Sequence, residues 1–378
     1  MQAQDLRIIR LSGSPLNRGR VHGEELREEI RALSAAHRDA IARVHGVPAE
    51  DYLQDFLAYQ KFSGPISAYC PYLMEEVRGI AEGAGLPVEA ILLLQLSDEE
   101  WVFGRTVWAG GDPAGFRSKC TAFGFHDAAS GTSYAGQNMD IPPFHEGYQI
   151  VFHVDYGRDG LEAFIFGSAG SLGFMGLNNA PLGICCNTLM QLPSSNDGLP
   201  VAFVLRCLLE CVSHEEAQAF LRSVRHASGQ NYLLSTDRDI GTFECSAEGV
   251  TMVSNPARRN WICHSNHVLG DTGWGRELPP HKLENSVARL ASIAGRVADL
   301  SIRPTLDGFK AALSACDDPQ HPVSRKLAAA SVSDTMSYTA GSAIYELGER
   351  VKMHIAPGPP CETDFRVLEF GNRLSRQS

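Results

Sequence analysis

The sequence predicts an α+β fold, and three observations predict it. Helical periodicity dominates the first 119 residues, short alternating strands follow a glycine-rich break, and the elements then come in blocks of helices and strands rather than in strict alternation. Successive strands joined by short turns point to antiparallel sheets with helices packed outside them. A chain of 378 residues has room for two domains or one large one, with a sizeable core. A hydrophobic share of 44% with 20% charged residues excludes a disordered chain.

The elements follow in order. Leu26, Ile30, Leu33 and Ile41 fall on one helical face, and Leu73, Val77, Ile80 and Ala84 repeat that spacing until Gly83–Gly85 stops it. Pro87 starts a helix through Ala90–Leu94. Ala109–Gly115 is loop chemistry, rich in Gly, Asp and Pro. Strands are expected at 120–125, 132–138, 149–156, 161–166 and 182–188. Pro200 opens a helix carrying Val201, Val204, Leu205 and Leu208. Ser213 and Glu216 then form a capping box ahead of Ala217, Phe220, Leu221 and Val224. Strands return at 231–236, 241–245 and 261–265. A long helix is expected to bury Leu283, Val287, Leu290, Val297 and Leu300, followed by a short one over 305–313. The last strands fall near 342–347, 351–355 and 366–370. No internal repeat or low-complexity segment is visible.

Charge and composition remove several function classes. A net charge of −11 argues against a nucleic-acid binder, whose affinity rests on basic patches. The longest apolar run, Ala90–Leu96, is far short of the ~20 residues that span a bilayer. Asp5 and Arg7 interrupt the start of the chain, so no secretory signal is expected there, and Arg376–Ser378 carries no lipidation signal. Ten cysteines without a CxxC pair read as reduced thiols of a cytoplasmic protein, each by default a small core residue.

Familiar catalytic motifs are missing. Ala169-Gly170-Ser171-Leu172-Gly173 approaches a nucleophile elbow but lacks its first glycine and reads as a turn. There is no P-loop, GxGxxG, HExxH or SxxK. His264 and His267 have no third ligand at a metal-binding spacing, so no metal and no cofactor is expected.

The chemistry sits in Lys119-Cys120-Thr121-Ala122-Phe123-Gly124-Phe125. On a strand, Thr121, Phe123 and Phe125 point to one face and Cys120, Ala122 and Gly124 to the other, leaving open space beside the sulfur. The next strand ends in Gly136-Gln137-Asn138-Met139-Asp140, with Asn138 and Asp140 on a common face that a hairpin would bring towards Cys120.

These two segments together resemble the isopenicillin-N acyltransferase (acyl-CoA:6-aminopenicillanic acid acyltransferase) family. Its members are autoproteolytic N-terminal-nucleophile (Ntn) hydrolases, related to penicillin V acylases and bile salt hydrolases. Further blocks are similar in order and spacing: Gly13–Gly19 with His22-Gly23, Pro71–Glu76, Gly79–Gly85, Gly176–Asn179, Gly183–Asn187, His264–His267 and Ala356–Pro360. The resemblance covers most of the chain. With the element order, it implies a four-layer αββα sandwich of antiparallel sheets. Residues 1–119 would form a helical N-terminal segment and residues 120–378 the Ntn core.

The resemblance also implies self-cleavage between Lys119 and Cys120, with both fragments staying together. It makes Cys120 the nucleophile and Asp140 the group that orients the new amine and the thiol. Asn266 would donate into the oxyanion hole, and Asn187 would help to polarise the carbonyl. The ordinary readings are a turn aspartate at Asp140 and a structural asparagine at Asn266. A late arginine is also expected by resemblance. Arg325 is nearest by position, but its surroundings do not match the motif and a surface role suits it. Lys119 stands where the family has glycine, and Met139 where it has an aromatic residue.

The physics stands apart from the name. A thiol with pKa ~8.5 is little ionised at neutral pH, while a terminal α-amine titrates near ~7.7–8.0. On the same residue, that amine can take the thiol proton and return it to a leaving amine. The expected substrate is a small N-acyl amide or an acyl thioester, acyl-CoA included; Arg258 and Arg259 would then meet its phosphates, unless they are an ordinary exposed pair. Two other readings are a non-processing descendant that binds acyl ligands, and a thiol enzyme with a separate base at His126, His145, His264 or His267.

Overall fold

The computed structural model describes residues 6–108, 120–253, 260–271, 273–327 and 336–371. The Ala109–Gly115 loop, Lys119 and the Arg258-Arg259 pair lie outside the described residues. In the first segment β1 (Arg7–Leu11) precedes α1 (Pro15–Glu25), α2 (Arg27–His45), α3 (Ala49–Tyr59), α4 (Ser63–Tyr69), α5 (Pro71–Ala84), α6 (Val88–Gln95) and α7 (Ser97–Phe103). Next come β2 (Thr121–Asp127), β3 (Thr132–Ile141), β4 (Gln149–Asp155), β5 (Glu162–Ser168), β6 (Met175–Asn178) and β7 (Leu182–Thr188). Helices α8 (Val201–Leu208) and α9 (His214–Ser223) lead to β8 (Gln230–Ser235), β9 (Ile240–Cys245), β10 (Val250–Val253) and β11 (Trp261–His264). The chain continues through α10 (Pro280–Leu300), α11 (Leu306–Leu313), β12 (Tyr338–Leu347), β13 (Val351–Ala356) and β14 (Arg366–Glu369).

The strands form two sheets. One has eight strands in the order β1-β4-β5-β6-β7-β8-β9-β10, and the other six in the order β11-β2-β3-β12-β13-β14. Among the described strands every pairing is antiparallel except β1 with β4.

Strand alternation sorts the side chains into three cores. Ile150, Phe152 and Val154 of β4 point outward and pack under Ile30, Leu33, Val77, Ile80 and Ile91 of the N-terminal helices, and under Phe203 and Leu208 of α8. Val151, Phe164, Phe166 and Cys185 point inward and meet Ala122, Ala135, Met139, Tyr345 and Met353 of the second sheet. On the far side Phe123, Phe125 and Ile344 are covered by Ile293, Val297, Phe309 and Leu313 of α10 and α11. The layers are therefore helix, sheet, sheet, helix, as expected.

Local signals held at most ends. Gly85 takes a left-handed conformation (φ 64°) and stops α5. The expected cap is present at Ser213, whose side chain accepts from Glu216 N, although the Glu216 carboxylate reaches back to Val212 N rather than to Ser213. Three features differ from expectation. Strand β1 falls in the segment read as helical, and β6 and β10, four residues each, carry too little pattern to show. The buried stripe of α10 is Ser286, Arg289, Ile293 and Val297, so Val287 is 48% exposed. Val297 is buried and Leu290 and Leu300 pack against the same core as expected, while Ser286 and Arg289 turn inward to polar neighbours and leave Val287 outside.

The first segment is tightly locked to the core. Helices α1 and α5 cross at backbone contact: a Cβ on Gly19 would lie 2.0 Å from the Glu76 carbonyl oxygen, and one on Gly79 2.2 Å from that of Leu16. Beside this crossing, the buried Glu76 carboxylate accepts from Arg18 Nε at 3.1 Å and from Arg206 Nη1 at 2.8 Å and Nη2 at 3.1 Å. Burial alone would push the Glu76 carboxyl up, but the guanidiniums of Arg206 and Arg18 together hold it below its ordinary value.

Glu76→Ala is expected to lower the unfolding free energy by ~3–5 kcal/mol, because it leaves two buried guanidiniums uncompensated. Urea denaturation checks this. The sign with pH follows from the depressed pKa. The wild-type contribution is complete above the unfolded glutamate value of ~4.3 and is lost as pH falls through the lower folded value. The stability gap between the two proteins should therefore close in acid.

Candidate active site

Cys120 sits just before β2, buried at 4% exposure. The β2–β3 register pairs Thr121 with Asn138, which sets Cys120 across from Met139 on the face between the sheets. The sulfur lies 3.7 Å from Met139 Sδ and 3.9 Å from the Asp140 carbonyl oxygen. Ala122 shares that inner face, whereas Phe123 and Phe125 fill the outer core. The predicted alternation is thus present.

The register corrects one expectation. Asn138 points away from the sulfur, and its Nδ2 donates to the carbonyls of Leu313 and Val323 at 2.8 and 2.9 Å. Asp140 lies one residue beyond Met139. Its Oδ1 accepts from Thr339 Oγ1 at 2.7 Å, at a bulge in β12 between Thr339 and Gly341. Its charge reaches both Cys120 and Arg289.

Asn266 follows β11 in a turn held by two buried groups. Its backbone N–H donates to Ser286 Oγ at 2.8 Å. Glu244 anchors the same turn, accepting from Leu269 N at 2.6 Å, from Gly270 N at 3.1 Å and pairing with His264 Nε2 at 3.0 Å. The Asn266 side chain donates from Nδ2 to the Thr188 carbonyl at 3.1 Å and accepts at Oδ1 from Arg289 Nη2 at 3.0 Å. Asn187 stands on the neighbouring β7. Its Oδ1 accepts from Asn231 Nδ2 at 3.1 Å, while its own Nδ2 is buried without an acceptor among the described residues.

The arginine beside the nucleophile is Arg289, which the sequence reading missed. From α10 its Nη1 donates to the Cys120 carbonyl at 2.8 Å and to Thr121 Oγ1 at 2.6 Å, and its Nε to Asn285 Oδ1 at 3.0 Å. It is fully buried, and burial pulls its pKa down to about 10 despite the charge of Asp140. The signal was Ser286 and Arg289 three apart, two polar residues in line with Ile293 and Val297. Arg325 is half-buried rather than a surface residue. Its backbone pairs with Thr339, and its charge is felt at Arg289.

None of the four candidate histidines bonds to the sulfur. His126 pairs with Ser133, His264 with Glu244, and His267 with Ser286. His145 pairs with Ser168, and burial pulls its pKa down to about 3. The turn at Ser171 closes on itself, its hydroxyl donating to the Ser168 carbonyl at 2.8 Å.

The thiol faces a cavity with about 1330 Å³ of empty space, its open mouth included. Walls come from α2, α6–α8 and the β3–β4 and β5–β6 connections, and are mostly apolar: Ile41, Leu94, Trp101, Phe144, Phe174 and Leu205. Burial, and then the charge of Asp140, push the Cys120 thiol up to about 12. Among the described residues no cluster of three or more His, Cys, Asp or Glu side chains could hold a metal, and no helix is long and apolar enough to cross a membrane.

Cys120 therefore stands at the head of a strand of the six-stranded sheet, between two helix-covered sheets, and faces a mostly apolar cavity. Residues 128–354 match the model of the acyl-coenzyme A:6-aminopenicillanic acid acyl-transferase family, and the chain belongs to that family. Among solved structures the chain is similar to a variant of conjugated bile acid hydrolase from Clostridium perfringens, at 13% identity and a TM-score of 0.45, covering 68% of this chain and 99% of that one. It is likewise similar to penicillin V acylase from Agrobacterium tumefaciens, at 13% identity and a TM-score of 0.42, covering 68% of this chain and 89% of that one. No curated protein sequence matches the chain.

Proposed function

We propose that the protein cuts itself before Cys120 and then acts as an N-terminal-cysteine amidohydrolase or acyltransferase on a small N-acyl amide or acyl thioester. One observation carries this reading. The Cys120 thiol is pushed up to about 12, and no side-chain base among the described residues bonds to it. In this reading the base is the residue's own α-amine, which cleavage releases.

In this mechanism the amine takes the Sγ proton as sulfur attacks the acyl carbonyl. The tetrahedral oxyanion is met by the amides of Asn187 and Asn266. The ammonium then returns its proton to the departing amine, leaving acyl-Cys120. Water, or a second amine in the transfer reaction, displaces the acyl group and restores the thiol. Asp140 holds the ammonium near the sulfur, and Arg289 fixes the carbonyl side of the same residue.

Three further features bear on this reading. Ten thiols without a disulfide among the described residues suit a cytoplasmic setting. The parallel β1–β4 pairing and the Arg18–Glu76–Arg206 cluster would keep residues 6–108 on the core after cleavage, so the fragments should co-elute in native buffer. Lys119, in place of the family's glycine, keeps open the alternative of an uncut acyl-binding descendant.

N-terminal sequencing of the purified protein decides between them. The processing reading expects a large fragment beginning Cys120-Thr121-Ala122. An intact chain that hydrolyses amides at full rate would overturn it, and an intact chain that binds acyl ligands without turnover would favour the alternative.

A further inference from the structure

We propose that Asp98 selects the substrate, by binding an ammonium group placed close to the scissile carbonyl. The inference rests on the reading above only in taking this cavity as the substrate site.

Asp98 lines the cavity from α7. Thr188 Oγ1 and Gln230 Nε2 donate to it at 2.9 and 2.7 Å, and both reach the same oxygen, Oδ2. Oδ1 takes no donor among the described residues. The residue is enclosed by protein and yet keeps accessible surface, as an oxygen looking into a cavity would. Enclosure raises its carboxyl pKa above the ordinary value, and the two donors oppose that rise.

The other carboxylates of the cavity are occupied differently. Glu100 is met by Tyr52, His37 and His45. Asp140 accepts from Thr339 and faces Arg289. Arg105, the cavity's guanidinium among the described residues, acts on His45 and Tyr52 beside Glu100.

Position fixes what Asp98 can read. Thr188, which donates to Asp98, is the residue whose carbonyl accepts from Asn266 Nδ2, and Asn187 precedes it in the chain. A group bound at Oδ1 therefore lies beside the proposed oxyanion donors. A wholly apolar ligand would seal a bare carboxylate oxygen in a dry site, which is costly. An anionic group would be repelled. An ammonium meets the charge and supplies the missing donors. The remaining apolar walls fit a hydrophobic body. The substrate class is thus an amide with an amino group near the scissile bond and an apolar remainder, such as an aminoacyl amide.

The test uses the full chain carrying Cys120→Ala, so binding is scored whether or not turnover exists. Calorimetry compares 3-phenylpropylammonium with its neutral isostere 3-phenylpropan-1-ol. The ammonium is expected to bind at least about tenfold more tightly, and the preference should shrink to within about twofold when Asp98→Asn is added. Should that protein fail the circular-dichroism check for folding, Asp98→Ser serves in its place. Equal affinities, no binding of either probe, or a preference that survives loss of the carboxylate each overturns the inference. Because these readouts need no catalysis, they stand apart from the sequencing test. A wild-type chain that is cut and active, with a Cys120→Ala form that shows no ammonium preference, sinks this inference alone; a wild-type chain that stays uncut, with a Cys120→Ala form that prefers the ammonium, sinks only the catalytic reading.

Discussion

Cys120→Ala is expected to abolish amide turnover, by at least ~10⁴-fold, and to leave the polypeptide in one piece. Both effects follow from one sulfur, which would be the nucleophile in self-cleavage and in catalysis. The substitution removes a buried side chain that touches Met139 and the Asp140 carbonyl, so the loss of stability should be small, about 1 kcal/mol. A denaturing gel and an assay on the same sample separate the outcomes. An uncut, inactive and folded variant is the expected result. A variant that is cut normally would move the nucleophile elsewhere. The wild-type pH profile adds a second check. kcat/KM should rise with pH through the amine range near ~8, because the base is the neutral form of a group that Asp140 holds as the cation.

The second large effect is expected at Arg289. Its guanidinium makes four hydrogen bonds that converge on the site: to the Cys120 carbonyl, Thr121 Oγ1, Asn266 Oδ1 and Asn285 Oδ1. Lysine carries the charge but not the planar fork, so it cannot serve partners on several sides. Arg289→Lys should lower kcat by ~10²–10³-fold through a misplaced Asn266 amide, the cost typical of losing one oxyanion donor. KM should move much less, because the guanidinium touches the machinery rather than the cavity wall. Urea denaturation should show a loss of ~1–3 kcal/mol from the buried acceptors left unpaired. An unchanged kcat in a folded Arg289→Lys protein would show that Asn266 does not depend on this arginine.

The sequence carried the layer order well because burial and strand alternation are local patterns. Phe123 and Phe125 lie on the face opposite Cys120 and Ala122, as strand alternation alone dictates. Glycines at 19, 23, 79 and 83 were visible as family blocks, but their reason, two helices crossing at backbone contact, is tertiary. Arg289 was hidden for the opposite cause. Apolar periodicity marks the stripe a helix ought to bury, and α10 instead turns Ser286 and Arg289 inward to serve Cys120 and Asn266. Asp98 was equally silent, since an acid in the first turn of a helix has an ordinary reading. The hairpin register, and with it the outward turn of Asn138, depends on pairing that one strand cannot announce.

The parallel strand at the start of the fold also governs solubility. β1 carries Arg7 and Arg10, two cations on the rim of the eight-stranded sheet. Charged side chains on an outermost strand discourage recruitment of a foreign one. Beneath it, Ile150, Val151, Phe152 and Val154 make β4 a long apolar ribbon. Trimming the chain past Leu11 would lay that ribbon bare, and light scattering should then rise with protein concentration as molecules zip together edge to edge.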